Sequence, residues 1–262
     1  MKKLVIASAL LSALAVATTA NAYQAEVGAS AGYVDPDHGS SGSEFNINGT
    51  YYFQDVKVRN NPLAEAAFLD KASNVSAFGN FAKRGDVNRD NTYGIAGEYF
   101  VPSSDFYVSG QVSRNELKHK QINEKLNTTY YGAEVGYLPV SGLLLAVGAK
   151  GYDSTNSNHV DPTIRAKYVG DLGNGQAFNL EGAAAFGDLD EYTVAADYYF
   201  NPTLGVGADY YHSNHDSVKA KEVGISARKF VTQDVSLEGR VGFGKVYNND
   251  YTSYGVAAKY RF

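Results

Sequence analysis

The chain has 262 residues, of which 44% are hydrophobic, 19% charged and 13% aromatic, with 21 Tyr, 13 Phe, 27 Gly, no Cys and a formal net charge of −5. Beyond residue 22 no apolar run approaches the roughly 18 residues that a spanning helix needs, which excludes a helical membrane protein. The absence of Cys excludes a disulfide framework, a thiolate metal site and a thiol nucleophile, and no basic patch with interleaved aromatics points to nucleic acid.

Lys2 and Lys3 precede an apolar run from Leu4 to Val16, and Ala20-Asn21-Ala22 supplies the small residues at which a signal peptidase cuts. A cleaved signal peptide is therefore expected over residues 1–22, with one domain over 23–262. Losing Lys2 and Lys3 takes the formal charge from −5 to −7, with 21 Lys+Arg against 28 Asp+Glu.

From Tyr23 onward the chain reads as about fourteen alternating segments of roughly ten residues. The first sets Tyr23, Ala25, Val27, Ala29, Ala31 and Tyr33 on one face. The second, after the polar stretch Asp35 to Ser43, shows Phe45, Ile47, Tyr51 and Phe53. The same period of two runs through Val75 to Phe81, Tyr93 to Val101, Phe106 to Val112, Tyr131 to Tyr137, Leu143 to Ala149 and Ile164 to Gly170. It continues through Phe178 to Phe186, Tyr192 to Phe200, Leu204 to Tyr210, Val223 to Ala227, Val235 to Phe243 and Tyr254 to Phe262. A strand alternates its side chains between two faces, so each segment has one apolar and one polar or small face. Aromatic residues at both ends of the apolar stripes match what two membrane interfaces ask for.

The breaks alternate in character. Pro102-Ser103-Ser104, the region of Pro139, Gly173-Asn174-Gly175 and Asn201-Pro202-Thr203 read as short turns, whereas Lys118 to Asn127, Ser154 to Asp161 and His212 to Lys219 read as longer polar loops. All five histidines, His38, His119, His159, His212 and His215, fall in such breaks. His212 and His215, with Asp209 and Asp216 nearby, could bind a transition metal, but solvated loop histidines are far commoner than metal ligands. No metal, cofactor or catalytic group is expected, because no nucleophile elbow, paired-carboxylate spacing or phosphate-cradling glycine loop occurs.

One break on the short-turn side is long, Lys57 to Lys71. Asn61-Pro62 followed by Leu63-Ala64-Glu65-Ala66-Ala67-Phe68-Leu69 predicts a short helix over 61–71 with an apolar face. That face needs cover, either inside the mouth of the barrel, where Leu63, Glu65 and Phe68 would form a constriction, or on its rim.

Charged residues in register with the polar faces are the candidate interior: Glu26, Glu98, Glu134, Lys150, Arg165, Lys167, Glu181, Asp197, Asp209, Glu222, Arg228, Glu238, Arg240, Lys259 and Arg261. Both signs inside roughly fourteen strands leave room for water. Read by strand number, the bases fall on strands seven, eight and the last three and the acids on four, six and nine to eleven, an arrangement that would set a transverse field or else close into internal ion pairs.

The pattern as a whole predicts an all-β, transmembrane, antiparallel up-and-down barrel with both termini at one end. The closing strand, ending in Tyr260-Arg261-Phe262, looks like the terminal strand of a bacterial outer-membrane barrel, in which Tyr260 and Phe262 would serve as the signal for the barrel assembly machinery. Pro62 to Leu69, the run Ala72-Ser73-Asn74-Val75-Ser76, the start Ala22-Tyr23-Gln24 and the run Arg165 to Gly170 resemble a porin family of gammaproteobacterial outer membranes. That resemblance implies a monomeric barrel in outer-membrane lipid, passing water and small hydrophilic solutes by passive diffusion. The alternative is a structural or adhesive barrel with a closed lumen and ligand-binding extracellular loops.

Overall fold

A computed structural model describes residues 22–85, 88–119, 124–155, 157–187, 190–215 and 218–262. The expected signal peptide lies outside them apart from Ala22. Fourteen strands follow one another in chain order: β1 (Ala22–Pro36), β2 (Gly42–Lys57), β3 (Asn74–Arg84), β4 (Asn88–Phe100), β5 (Phe106–His119), β6 (Glu124–Val140) and β7 (Leu143–Ser154), then β8 (Ser157–Gly173), β9 (Gln176–Ala185), β10 (Glu191–Asn201), β11 (Leu204–His215), β12 (Val218–Phe230), β13 (Val235–Val246) and β14 (Asn249–Arg261). Each pairs with its neighbour in sequence, and β1 pairs with β14, so the sheet closes into a barrel. All pairings are antiparallel.

Closure satisfies the backbone groups that an open edge would leave bare in hydrocarbon. The closing seam sets Val27 opposite Tyr260 and Ala29 opposite Ala258, and the Phe262 carbonyl accepts from the amides of Gln24 (2.9 Å) and Ala25 (2.8 Å). The ring of Phe262 lies outside, 5.7 Å from Tyr260 and stacked on it.

The apolar stripes face outward as the alternation predicts: Val135, Val147, Ile164, Ile225 and Val256 are each half exposed or more. Hydrocarbon is the solvent such a surface fits. Tyr23 departs from its stripe. The register slips between Tyr23 and Ala25, and this irregularity turns Tyr23 inward opposite Val56, where it packs edge-on against Tyr52 at 5.5 Å. A bulge breaks the period of two, so parity counted from Ala25 does not reach Tyr23.

Most of the described residues in the stretches expected as long polar loops are strand. β5 runs to His119, β7 to Ser154 and β11 to His215, with their partners starting within a few residues. His119, His159, His212 and His215 therefore stand in strands, and only His38 lies in a connection. Beyond the lipid a ladder still pairs its backbone groups while both faces meet water, so polarity at those positions hid the strand. At the end carrying the termini the connections other than that between β2 and β3 are tight; between β6 and β7 the hairpin is Ser141-Gly142, with Gly142 at φ 79°, where a side chain would also strike the Val169 carbonyl.

The short helical turn expected near 61–71 is present, over seven residues. A 3-10 turn at Leu63–Glu65 leads into one α-helical turn, α1 (Ala66–Leu69), with Pro62 rather than Asn61 at the cap position and no side-chain cap.

Outward and inward positions predict opposite responses to a charge. Val135→Arg, on the outer face between Tyr131 and Tyr137, is expected to destabilise the barrel by about 2–4 kcal/mol in denaturant titrations in lipid vesicles, and Gln111→Arg on the inner face by less than about 1 kcal/mol. Equal losses at the two positions would contradict the assigned faces.

Candidate functional site: the inner wall and the segment across its mouth

Every charged residue predicted for the interior stands on the inward face and engages a partner. Glu26 receives Lys259 at 3.1 Å and Arg261 at 2.7 Å across the closing seam. Glu134 holds Arg165 at 2.9 Å, and Glu181 lies 3.6 Å from Arg165 and 3.5 Å from Lys167. Arg240 is gripped by Asp209 at 2.5 Å and Glu222 at 2.6 Å, Arg228 by Glu238 at 2.6 Å, and Asp197 accepts from Asn179 at 3.0 Å. Several of these bonds skip a strand: Arg165 on β8 reaches Glu134 on β6, and Arg240 on β13 reaches Asp209 on β11. The acidic and basic arcs read from strand order are thus interleaved into local pairs; where Arg240 crosses β12 to reach Asp209 the intervening residue is Gly224, and a side chain there would meet the guanidinium.

Residues that parity alone could have revealed complete these networks. Tyr107, the inward neighbour of Phe106, is buried; its hydroxyl donates to Glu98 Oε1 (2.6 Å) and accepts from Arg165 (3.0 Å). Asn74 donates to the other oxygen of Glu98 at 2.9 Å, and Lys150 pairs with Glu191 at 2.5 Å. Glu98, Tyr107, Glu134, Lys150, Arg165 and Glu191 all border one cavity of about 350 Å³ on the inner wall.

The segment between β2 and β3 lies across the inside of the mouth at the end carrying the termini, rather than on the rim. Its contacts come from around the wall. The Leu63 amide donates to the Pro202 carbonyl between β10 and β11 (2.8 Å), and the Leu63 carbonyl accepts from Arg261 on β14 (2.8 Å). Glu65 is buried, accepts from the hydroxyl of Tyr199 on β10 (2.6 Å) and pairs with Lys167 on β8 (2.9 Å). Phe68 lies under the Lys167 ammonium, 5.1 Å away, and packs against the cluster Phe100, Tyr107, Leu138 and Leu144. Ala66 and Ala72 pack against Tyr23, Tyr52 and Val56. The apolar cover that Leu63 to Leu69 required is therefore supplied by inward aromatic and aliphatic residues near this end of the barrel. Arg261 ties the two sides together, its guanidinium 4.7 Å from both the Tyr23 and Phe230 rings, a geometry in which cation–π attraction adds to the ion pair.

Elsewhere the expected groups are separated. Among the described residues no three His, Asp or Glu side chains converge as metal ligands. His212 lies against the rings of Tyr192 (6.1 Å) and Tyr210 (6.4 Å), Asp209 is committed to Arg240, and Asp216 lies outside the described residues.

A closed barrel with an apolar outer surface and a charged, cavity-bearing interior defines a transmembrane β-barrel of the channel-forming type. Residues 1–148 match the family model described as "Putative general bacterial porin". Among solved structures the chain is similar to the Acinetobacter baumannii outer membrane protein Omp33, with 30% identity over 92% of this chain and 99% of that one and a TM-score of 0.73. It shares a fold with the TodX deltaS2S3 mutant monoaromatic hydrocarbon channel, at 9% identity over 92% of this chain and 90% of that one and a TM-score of 0.55. No curated protein matches the sequence. The chain belongs to this bacterial porin family and resides in the outer membrane.

Removing one partner of a buried ion pair leaves the other charge uncompensated, at a cost of about 3–5 kcal/mol. Glu65→Ala is therefore expected to loosen the segment across the mouth while the strands stay paired. Amide hydrogen exchange of Ala66 to Ala72 should accelerate at least tenfold with exchange in β7 unchanged; unaltered protection of Ala66 to Ala72 would contradict the docking role of Glu65.

Proposed function

We propose that the chain works, as a single barrel, as a channel for passive diffusion of water and small hydrophilic solutes, narrowed at its periplasmic mouth by the segment 61–71. The observation that carries this reading is the seat of Glu65 between Lys167 and Tyr199, which supports a fixed obstruction inside an otherwise polar lumen. In this reading Leu63, Glu65 and Phe68 form the constriction, and the ion pairs along the wall, from Glu26 and Glu98 round to Lys259, line the route. Their pairing fixes side chains of both signs beside the lumen, a lining that favours small dipolar solutes over ions of either sign.

The same reading takes residues 1–22 as a signal peptide removed on export, and Tyr260 and Phe262 as the mark recognised by the barrel assembly machinery. Outer-membrane lipid covers the apolar stripes. The tight apolar contacts of Ala66, Phe68 and Ala72 favour a second reading, a structural barrel whose lumen is closed.

Planar-bilayer recording of the purified protein separates the two. Replacing Asn61–Lys71 by a short Gly-Ser linker is expected to raise single-channel conductance at least twofold over a small but measurable native value. No rise would remove the constriction; no conductance from either protein, together with no swelling of sugar-loaded liposomes, would favour the closed barrel.

A further inference from the structure

The outer surface carries a feature that transport through the lumen does not use. On β3 to β6 the register sets Lys83 opposite Arg89, Arg89 opposite Lys118, and Lys118 opposite Lys125. All four side chains are exposed. By alternation they share the outward face with Phe81, Tyr93, Val112 and Tyr131, which form the upper part of the apolar belt. Four cations thus stand side by side across four strands, on the outside of the barrel, at the end away from the termini.

Like charges directly opposite each other in a ladder repel, and this row repeats that cost at each of its strand boundaries. Glu116, one step lower on β5, relieves part of it, lying 3.2 Å from Lys125 and 3.8 Å from Lys118. Arg114 adds another cation below Glu116, opposite Tyr93 and Thr129, and Asp153 adds a carboxylate opposite Thr129. Among the described residues five outward cations thus stand with two carboxylates on this arc, and Lys83 has a further interaction of its own. The outward face of β8 at the same end is neutral, with Asn158 and Val160. A second, shorter set of outward cations stands on β12 and β13, where Lys221 lies opposite Lys245 and Lys245 is paired with Asp250, so the unbroken row of four is what sets the β3 to β6 arc apart.

Immediately below the row, Phe81 and Tyr93 meet edge-on at 5.5 Å. Aromatic rings of this kind mark the headgroup level of a bilayer, so the row lies just on the water side of that level. We infer that Lys83, Arg89, Lys118 and Lys125 form a binding site for the phosphate groups of an outer-leaflet lipid, whose acyl chains lie against Ile95 and Val112 below. The row spans three strand spacings, about 14 Å, enough for more than one phosphate on a single headgroup. Arg and Lys are the side chains that bind phosphate through charge-assisted hydrogen bonds, and juxtamembrane cations attract anionic headgroups. The surface is an open sheet face with no enclosing pocket, so the attachment needs the acyl chains on the apolar belt as well as the charge, which argues for a lipid rather than a free anion.

Titrating the purified, folded protein with bisphosphorylated lipid A in detergent micelles tests the assignment, with bound lipid read by native mass spectrometry. The native protein should bind the bisphosphorylated lipid at least tenfold more tightly than the dephosphorylated one. Replacing Lys83, Arg89, Lys118 and Lys125 together by Gln should remove that difference, whereas Lys221→Gln with Lys245→Gln, on the opposite arc, should keep it. Folding is checked by the shift in gel mobility on heating; if the fourfold variant fails it, Arg89→Gln with Lys118→Gln is the substitute and should lose at least threefold. Equal affinity for the two lipids, full binding by the substituted protein, or equally tight binding of inorganic phosphate alone would each overturn the proposal.

Discussion

The structure depends on the seam between its first and last strands. A strand in hydrocarbon has no water with which to pair its amides and carbonyls, and a sheet open along one edge would leave a row of them bare. Here β14 returns to β1, and the carbonyl of the last residue, Phe262, accepts from both Gln24 and Ala25. The seam is reinforced on the inside by Glu26, which holds Lys259 and Arg261 from the strand that closes on it. Everything else about the molecule, from the outward aliphatic stripes to the polar interior, presupposes that ring.

Closure also decides what the interior can be. Fourteen strands enclose more space than side chains alone fill, and the inward charges are distributed as paired networks rather than as a dry core. Near the end carrying the termini the character changes: Tyr23, Tyr52, Tyr107, Leu138 and Leu144 point inward and are buried against the segment between β2 and β3. Glu65 is the polar anchor within this apolar packing. A buried carboxylate is tolerated there because a hydroxyl and an ammonium both meet it, and the same pairing prevents the segment from being exchanged for a simple hydrophobic plug without loss of position.

Alternation made most of the barrel legible in the sequence. Val135, Ile164 and Val256 face outward, and Glu134, Arg165 and Arg240 inward, as a period of two requires. What stayed hidden has identifiable physical causes. Tyr23 turns inward through a register slip that no residue type announces. The far ends of β5, β7 and β11 looked like loops because strands that leave the lipid lose the apolar face that marks them. The helix-forming run Leu63 to Leu69 signalled a helix and an apolar face, but its seat depended on Tyr199 and Lys167, more than 95 residues away in sequence. Tyr107 and Tyr199 themselves were readable as inward aromatics, since each sits beside an outward one, yet a tyrosine at an inward position carries no mark of its partner.

The central claim is that alternate residues of each strand meet lipid and water, and the natural absence of cysteine makes it directly measurable. Single substitutions along β5, Val108→Cys, Ser109→Cys, Gln111→Cys and Val112→Cys, can be exposed in lipid vesicles to a charged, membrane-impermeant thiol reagent. Rapid modification at Ser109 and Gln111 with protection at Val108 and Val112 is the predicted result. Equal modification at all four positions, or protection at Ser109 and Gln111 with reaction at the two valines, would contradict a water-holding interior surrounded by hydrocarbon.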